Sequence, residues 1–365
     1  MYTTPCATRR QFLRASLLGG AAAAMGSLRF GQPARAAEAA TGIAPAAAAV
    51  PVSRVALTTG DGRADMAFRG LKFFEKEIAA AIGNRRVIVK PNNVSIDVQL
   101  AATHADNLEG IFEFLKSIGK IENAVLAESA APGATLTGFE NLRYNRVAEK
   151  YGVKMMDLDQ QPVKIVQVFD ERDFRPHPAR MSSILLDENS FIISAARMKT
   201  HDRVVATLSL KNIIVGAAIK DMGFAWGRGA KPGAKSDKAT IHGGGFRGIN
   251  YNLFAIAQHL HPHLAVIDGF DGMEGNGPVG GRPVDHRVCV VSSDWLAADR
   301  VGIELMGIDF AKVGYLNFCA NAGLGQGDLA KIEVLGEPVG KHIKKYAMNA
   351  NFEQQLIWMK PAPRA

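Results

Sequence analysis

Five apolar runs in this chain each break off into polar or charged residues at their carboxyl-terminal end. Residues 86–89 lead into Lys90-Pro91-Asn92-Asn93, residues 124–127 into Glu128-Ser129, and residues 191–196 into Arg197-Met198-Lys199-Thr200-His201. Residues 263–267 lead into Asp268-Gly269, and residues 288–293 into Asp294. Near-continuous hydrophobic runs of this length read as strands buried on both faces, which is the habit of parallel sheets. Parallel strands put their carboxyl ends on one rim, where open α/β sheets hold their ligands. The pattern therefore predicts the location of a site before it predicts any chemistry.

Strand and helix signals alternate on either side of these runs. Residues 54–58 read as a strand, and Phe68, Leu71, Phe74, Ile78 and Ile82 mark a helix over 66–82. A strand at 86–90 is followed by a helix around 108–118 that Gly119 can stop in a left-handed conformation. A strand at 124–127, a helix at 139–151 closed by Gly152 and a strand at 154–158 complete a βαβαβαβ series. The stretch 163–187, with Arg175-Pro176-His177-Pro178, predicts an antiparallel excursion.

The second half resumes with strands at 191–196, 264–268, 288–292 and 332–335 and helices near 204–218, 250–260 and 295–306. The expected fold class is α/β: a mostly parallel sheet with helices on both faces. It is either one domain over 53–336 or two lobes, 53–160 and 190–336, joined by the excursion 161–189. Residues 337–365 read as a C-terminal extension. The Gly-, Lys- and Ser-rich span from Lys220 to Arg247, which includes Trp226, has the character of a lid or loop.

The first 36 residues read as an export signal of the twin-arginine type. Arg9-Arg10 precedes a modest apolar stretch from Leu17 to Met25, and Ala34-Arg35-Ala36 has the small-x-small form of a cleavage site. Cleavage after Ala36 would leave a tether over 37–52, export machinery as a partner, and a periplasmic or secreted product. The apolar stretch is too short for stable membrane insertion. The leader holds five arginines (9, 10, 14, 29 and 35) and no acid, so it supplies five of the chain's eight net positive charges and leaves +3. That balance gives no reason to expect a nucleic-acid partner. Of the cysteines only Cys289 and Cys319 lie beyond the leader, too few for an ordinary four-thiolate iron–sulfur cluster. They read as buried free thiols, with a disulfide open in an oxidising compartment.

The densest group of chemistry-bearing residues is Lys199-Thr200-His201 with Lys211-Asn212. Cations leaving a buried strand beside a helix N-terminus suit a carboxylate or phosphate. Lys199, His201, His242 and Glu128 are the candidate catalytic residues, and Lys90, Asn92, Lys211 and Asn212 the candidate substrate-binding ones. Lys90 and Glu128 read equally as an ion pair tying strand ends together. His242-Gly243-Gly244-Gly245 can carry an imidazole on a lid. Asp268 and Glu274, among glycines up to Pro278, can meet as oxygen ligands for a divalent metal, or simply form a turn. His259, His261 and His263 straddle an element boundary and make a poor metal site. Asp294 caps a helix that also carries Asp299.

The ordered set Lys90-Pro91-Asn92, Glu128-Ser129, Lys199-Thr200-His201, Leu210-Lys211-Asn212, Asp268-Gly269, Glu274-Gly275, Gly277-Pro278, Ser293-Asp294 and Ala298-Asp299 resembles the bacterial and archaeal family termed domain of unknown function 362. The resemblance covers about 53–336 and implies that these residues share one site. Many members carry a ferredoxin-like module with CxxC motifs, which this sequence lacks. The expected function is an exported enzyme acting on a small anionic substrate by acid/base or metal-assisted chemistry, as an isomerase, lyase or hydrolase. The alternative is a periplasmic carrier for a cofactor, metal or anion without turnover.

Overall fold

Alternate side chains of the central strands enter two different cores, so the sheet is the middle layer of the protein. The computed structural model describes residues 52–225 and 231–361; the leader, nearly all of the tether and Trp226 lie outside the described residues. The chain runs β1 (Ser53–Thr59), α1 (Arg63–Lys72), α2 (Glu75–Ile82), β2 (Arg86–Lys90), α3 (Ala105–Ser117), β3 (Ala124–Glu128), α4 (Thr135–Asn141), α5 (Tyr144–Tyr151) and β4 (Lys154–Asp157). Next come β5 (Val163–Asp170), β6 (Arg175–Ser182), β7 (Ser190–His201), β8 (Val205–Thr207), α6 (Ser209–Ala217), α7 (Asp237–Ile241) and α8 (Phe246–Ala257). The last are β9 (Leu264–Asn276), β10 (Gly280–Ser292), α9 (Trp295–Leu305), α10 (Gly314–Asn321), β11 (Ile332–Gly336) and α11 (Phe352–Gln355).

One nine-stranded sheet has the order β11-β1-β10-β9-β7-β2-β3-β4, with β8 paired to β7. Strand β10 is antiparallel to both neighbours and β8 to β7; every other pairing is parallel. Ile88, Ala265 and Ile267 face the core under α6, α8, α9 and α10, while Val87, Val89, Leu264 and Val266 face the core under α1, α2, α3 and α5. Burying each such Val, Leu or Ile contributes about 1.5–3 kcal/mol. The sheet is continuous through both halves of the sequence, so the two lobes merge into one. The hairpin β5–β6 forms a separate two-stranded sheet, as the Pro-rich excursion predicts.

Several sequence expectations need correction. Residues 66–82 form two helices, because the chain turns at Phe73–Phe74 and re-enters helix with Phe74, Ile78 and Ile82 all buried. The helix at 139–151 divides at Arg143, whose φ of 61° is left-handed. The helix expected near 204–218 starts only at Ser209, after β8. The glycine-rich stretch 268–276 is strand, in register with β10 out to Asn276 opposite Gly280. Its glycines answer close approaches: a Cβ on Gly272 would collide with the Tyr346 hydroxyl. Because β10 runs the other way, Asp294 lies on the far rim, where it accepts from Ser53 Oγ (2.6 Å) and caps α9.

Cys289 and Cys319 are free thiols in opposite cores, so no disulfide joins them. Residues 337–361 are no loose extension, since Tyr346 and Gln355 are buried. Among the described residues no helix is long and apolar enough to cross a membrane.

Candidate functional site

Lys90 and Glu128 are the last residues of the adjacent parallel strands β2 and β3; the register sets Ala127 opposite Lys90, and the two charged side chains meet where the strands end. Lys90 Nζ lies 2.8 Å from Glu128 Oε1 and donates to Asn212 Oδ1 (3.1 Å), with both charged groups about 1% exposed. Asn212 donates to Lys90 O (3.2 Å) and Ser194 Oγ (3.0 Å), which ties α6 across β2 and β7. Asn92 Nδ2 donates to the same Asn212 Oδ1 (3.0 Å), and the Asn93 amide donates to Glu128 Oε2 (3.1 Å). Gly216 makes room for this network: a Cβ there would drive into Lys90 Cε and Nζ.

These residues wall a narrow recess with a cavity volume of about 40 Å³. Lys90, Lys199, Lys211 and Lys238 line it with a single carboxylate, Glu128. Four ammonium groups against one carboxylate cannot all stay charged in a desolvated space. Burial, then repulsion from Lys211 and Arg197, drives Lys199 well below the usual lysine range. Burial likewise lowers Lys90, brings Lys211 to about 8 and brings Lys238 to about 7. The recess is therefore a place where a bound anion would restore protons to several amines at once.

Lys199 and His201 sit two residues apart near the end of β7. Lys199 Nζ donates to Ala101 O (2.5 Å), and His201 Nδ1 accepts from the Arg203 amide (2.9 Å). Burial holds His201 well below the ordinary histidine range. The turn after it is strained, because Val205 has φ of 71°, a conformation that a β-branched residue rarely adopts. Gln355, on α11, clamps that turn: Oε1 accepts from Val205 N (2.6 Å) and Nε2 donates to His201 O (2.9 Å). His242 ends α7, where its Nδ1 lies 2.5 Å from Lys238 O, and burial holds it at about 4. It is fixed by that bond and by the close packing of Gly243 on Gly248, rather than carried on a loose glycine linker. His201, His242 and Lys211 line a larger outer chamber that shares Lys211, His201 and Lys238 with the recess.

Seven of the residues picked out in the sequence thus meet in the recess: Lys90, Asn92, Glu128, Lys199, His201, Lys211 and Asn212. His242 joins them through the outer chamber. The N-terminus of α6 is not free for a ligand, because Asp299 accepts from Ser209 N (2.8 Å), Ser209 Oγ (2.5 Å) and Leu210 N (3.2 Å).

The structure does not bring Asp268 and Glu274 together. Asp268 and Glu274 are six residues apart on extended β9, about 20 Å. Asp268 is engaged by Arg63 (3.2 Å) and Arg197 (3.7 Å), while Glu274 accepts from Arg282 (2.7 Å) and the Ala347 amide (2.7 Å). Among the described residues no group of three or more His, Cys, Asp or Glu is placed to hold a metal ion. His263 accepts from the Ile192 amide (3.1 Å) and His261 stacks on Trp295, so both are structural.

Sequence reasoning missed Lys238, Gly216, Gln355 and the buried pair Lys220–Asp159. Asp159 follows β4 and accepts from Ser129 Oγ (2.6 Å); the strand-end rule that found Glu128 reaches it too. Nothing in the composition around Lys238 or Gln355 marks them, since only the fold carries them to the site.

The fold and site define an α/β protein with a lysine-rich recess at the carboxyl rim of a largely parallel sheet. The family described as Domain of unknown function (DUF362) matches residues 87–304, more than half of the chain, and the chain belongs to that family. The thylakoid-associated protein sll1697 of Synechocystis sp. is similar to it, at 26% identity over 137 residues, and that match spans 37% of either protein.

Proposed function

We propose that this chain is an exported enzyme that acts on a small anion bearing a carboxylate or phosphate, through acid/base chemistry in the lysine-rich recess. The observation that carries the reading is the lining: four buried lysines face one carboxylate. Lys199 and Asn92 hold the negative group, with Lys211 beside them at the throat; Asn212, whose amide hydrogens go to Lys90 O and Ser194 Oγ, positions Asn92, and Lys90, held by Glu128, fixes the floor. His201 and His242, both kept neutral by burial, move the proton. The paired arginines of the leader support a periplasmic or secreted destination.

Calorimetric titration with a panel of small carboxylates and inorganic phosphate tests the seat. Lys199→Met is expected to weaken binding at least tenfold, about 1.4 kcal/mol. A wild-type protein that binds none of the panel would sink the reading. His201→Gln separates enzyme from carrier: it keeps binding within a few-fold but abolishes turnover, whereas a carrier has no turnover to lose. Replacing both Arg9 and Arg10 with lysine should leave the protein in the cytoplasmic fraction; undiminished export would refute the leader assignment.

A further inference from the structure

Each lysine of the recess but one is fastened to a neighbour. Lys90 is locked to Glu128 and Asn212, Lys199 donates to Ala101 O, and Lys238 donates to Ala218 O and Val215 O. Lys211 is 6% exposed, yet among the described residues its Nζ has no hydrogen-bond or ion-pair partner. It stands at the throat, lining both the recess and the outer chamber. Burial, opposed by Asp202, brings it to about 8, so about half of it is free amine at pH 8. A neutral amine adds little to the holding of an anion. What it does supply is a lone pair facing open space.

Two imidazoles in complementary forms line the chamber with it. His242 Nδ1 faces a carbonyl oxygen and must carry the proton, which leaves Nε2 as an acceptor. His201 Nδ1 accepts an amide N–H, so its proton lies on Nε2 as a donor. One histidine can take a proton from the site while the other donates a hydrogen bond to a developing oxyanion.

We propose that Lys211 is a nucleophile that forms an imine with the carbonyl carbon of a small oxo acid, whose carboxylate lies in the recess against Lys199 and Asn92. This deepens the anion-binding reading and rests on it. The Lys211 lone pair forms the C–N bond, and the carbonyl π electrons move to oxygen, which accepts a hydrogen bond from His201 Nε2–H. The nitrogen gives a proton to His242 Nε2, which passes it to that oxygen, producing a neutral carbinolamine. The carbinolamine oxygen then receives a proton from solvent, the C–O bond breaks with loss of water, and the nitrogen lone pair closes the C=N bond. The balance is amine plus carbonyl plus one proton, giving protonated imine and water, with no oxidant or reductant.

The test incubates the purified full chain with glyoxylate and sodium cyanoborohydride and maps carboxymethyl adducts by peptide mass spectrometry. Lys211 is expected to be labelled at least tenfold faster than an exposed lysine such as Lys76, and excess glycolate, which lacks the carbonyl, should suppress that labelling. Lys211→Arg should abolish the site-specific adduct while leaving the slower labelling of exposed lysines such as Lys76 unchanged. Glycolate binding with Lys211 labelled no faster than Lys76 overturns the imine and spares the anion seat. Glycolate failing to bind removes both. Labelling of Lys199 or Lys238 in place of Lys211 also overturns the assignment.

Discussion

Lys199 and Lys211 are depressed by burial, and Lys199 also by its cationic neighbours, so ligand binding and proton binding must be linked. An anion favours the charged amines, raises their pKa values and draws protons from solvent. Calorimetry in buffers of different ionisation enthalpy should show uptake rising towards about one proton per anion at pH 9, with affinity falling as pH increases through 8. Binding without proton uptake would mean that the anion sits elsewhere. These two lysines, with His201 and Asn212, were legible in the sequence because they follow a buried run or lie near its end. Asp268 and Glu274 obeyed the same rule and misled, because spacing cannot reveal that Arg63, the first residue of α1, claims Asp268 first. Arginine partners distant in sequence leave no local mark.

Among elements, α6 matters most, since it carries Lys211, Asn212 and Gly216 together. Asp299 fastens its first turn, and Asp299→Ala removes three hydrogen bonds at a buried helix end, at a cost of about 2–3 kcal/mol in a denaturant titration. Gly216→Ala should cost more, about 3–5 kcal/mol, because the added methyl must separate the buried Lys90–Glu128 pair. A Gly216→Ala protein as stable as wild type would show that the pair can move aside. Gln355→Ala leaves the Val205 amide and the His201 carbonyl unpaired beside a strained turn, so turnover should fall more than anion binding does. Equal losses in both would assign Gln355 to folding alone. Element existence was readable from periodicity, and so was the excursion β5–β6. The long β9 was not, because glycines selected by close contacts with Val288 and Tyr346 look in sequence like glycines selected by a turn.

Across the whole molecule, burying so many bases shapes the dependence of stability on pH, and the signs can be worked out group by group. His242 and His263 are held at about 4 and His201 well below its ordinary range, so below the unfolded histidine value near 6.5 the unfolded chain binds more protons. Their contribution is complete above pH 6.5 and is lost as pH falls towards 4, by at most about 1.4 kcal/mol per unit for each group. Asp299, raised to about 7, acts in the opposite sense over the same range, one group against three. Above pH 7 the sense is set by Lys238 at about 7 and Lys211 at about 8, both far below their unfolded value, so stability continues to rise. Cys289, Cys319 and Tyr144 are raised by burial and reverse the trend once unfolded thiols and phenols ionise, from about pH 9. The maximum for the ligand-free protein is therefore expected near pH 9, on the order of 2 kcal/mol above its value at pH 7. A saturating anion, by returning protons to the recess, should move that maximum towards neutrality and add about 2.7 kcal/mol at one hundred times its dissociation constant. Urea titrations at half-unit pH steps, with and without the tightest-binding anion of the panel, measure both shifts. A ligand-free maximum at or below pH 7 would mean that the lysines of the recess are solvated and that the site is open to bulk water.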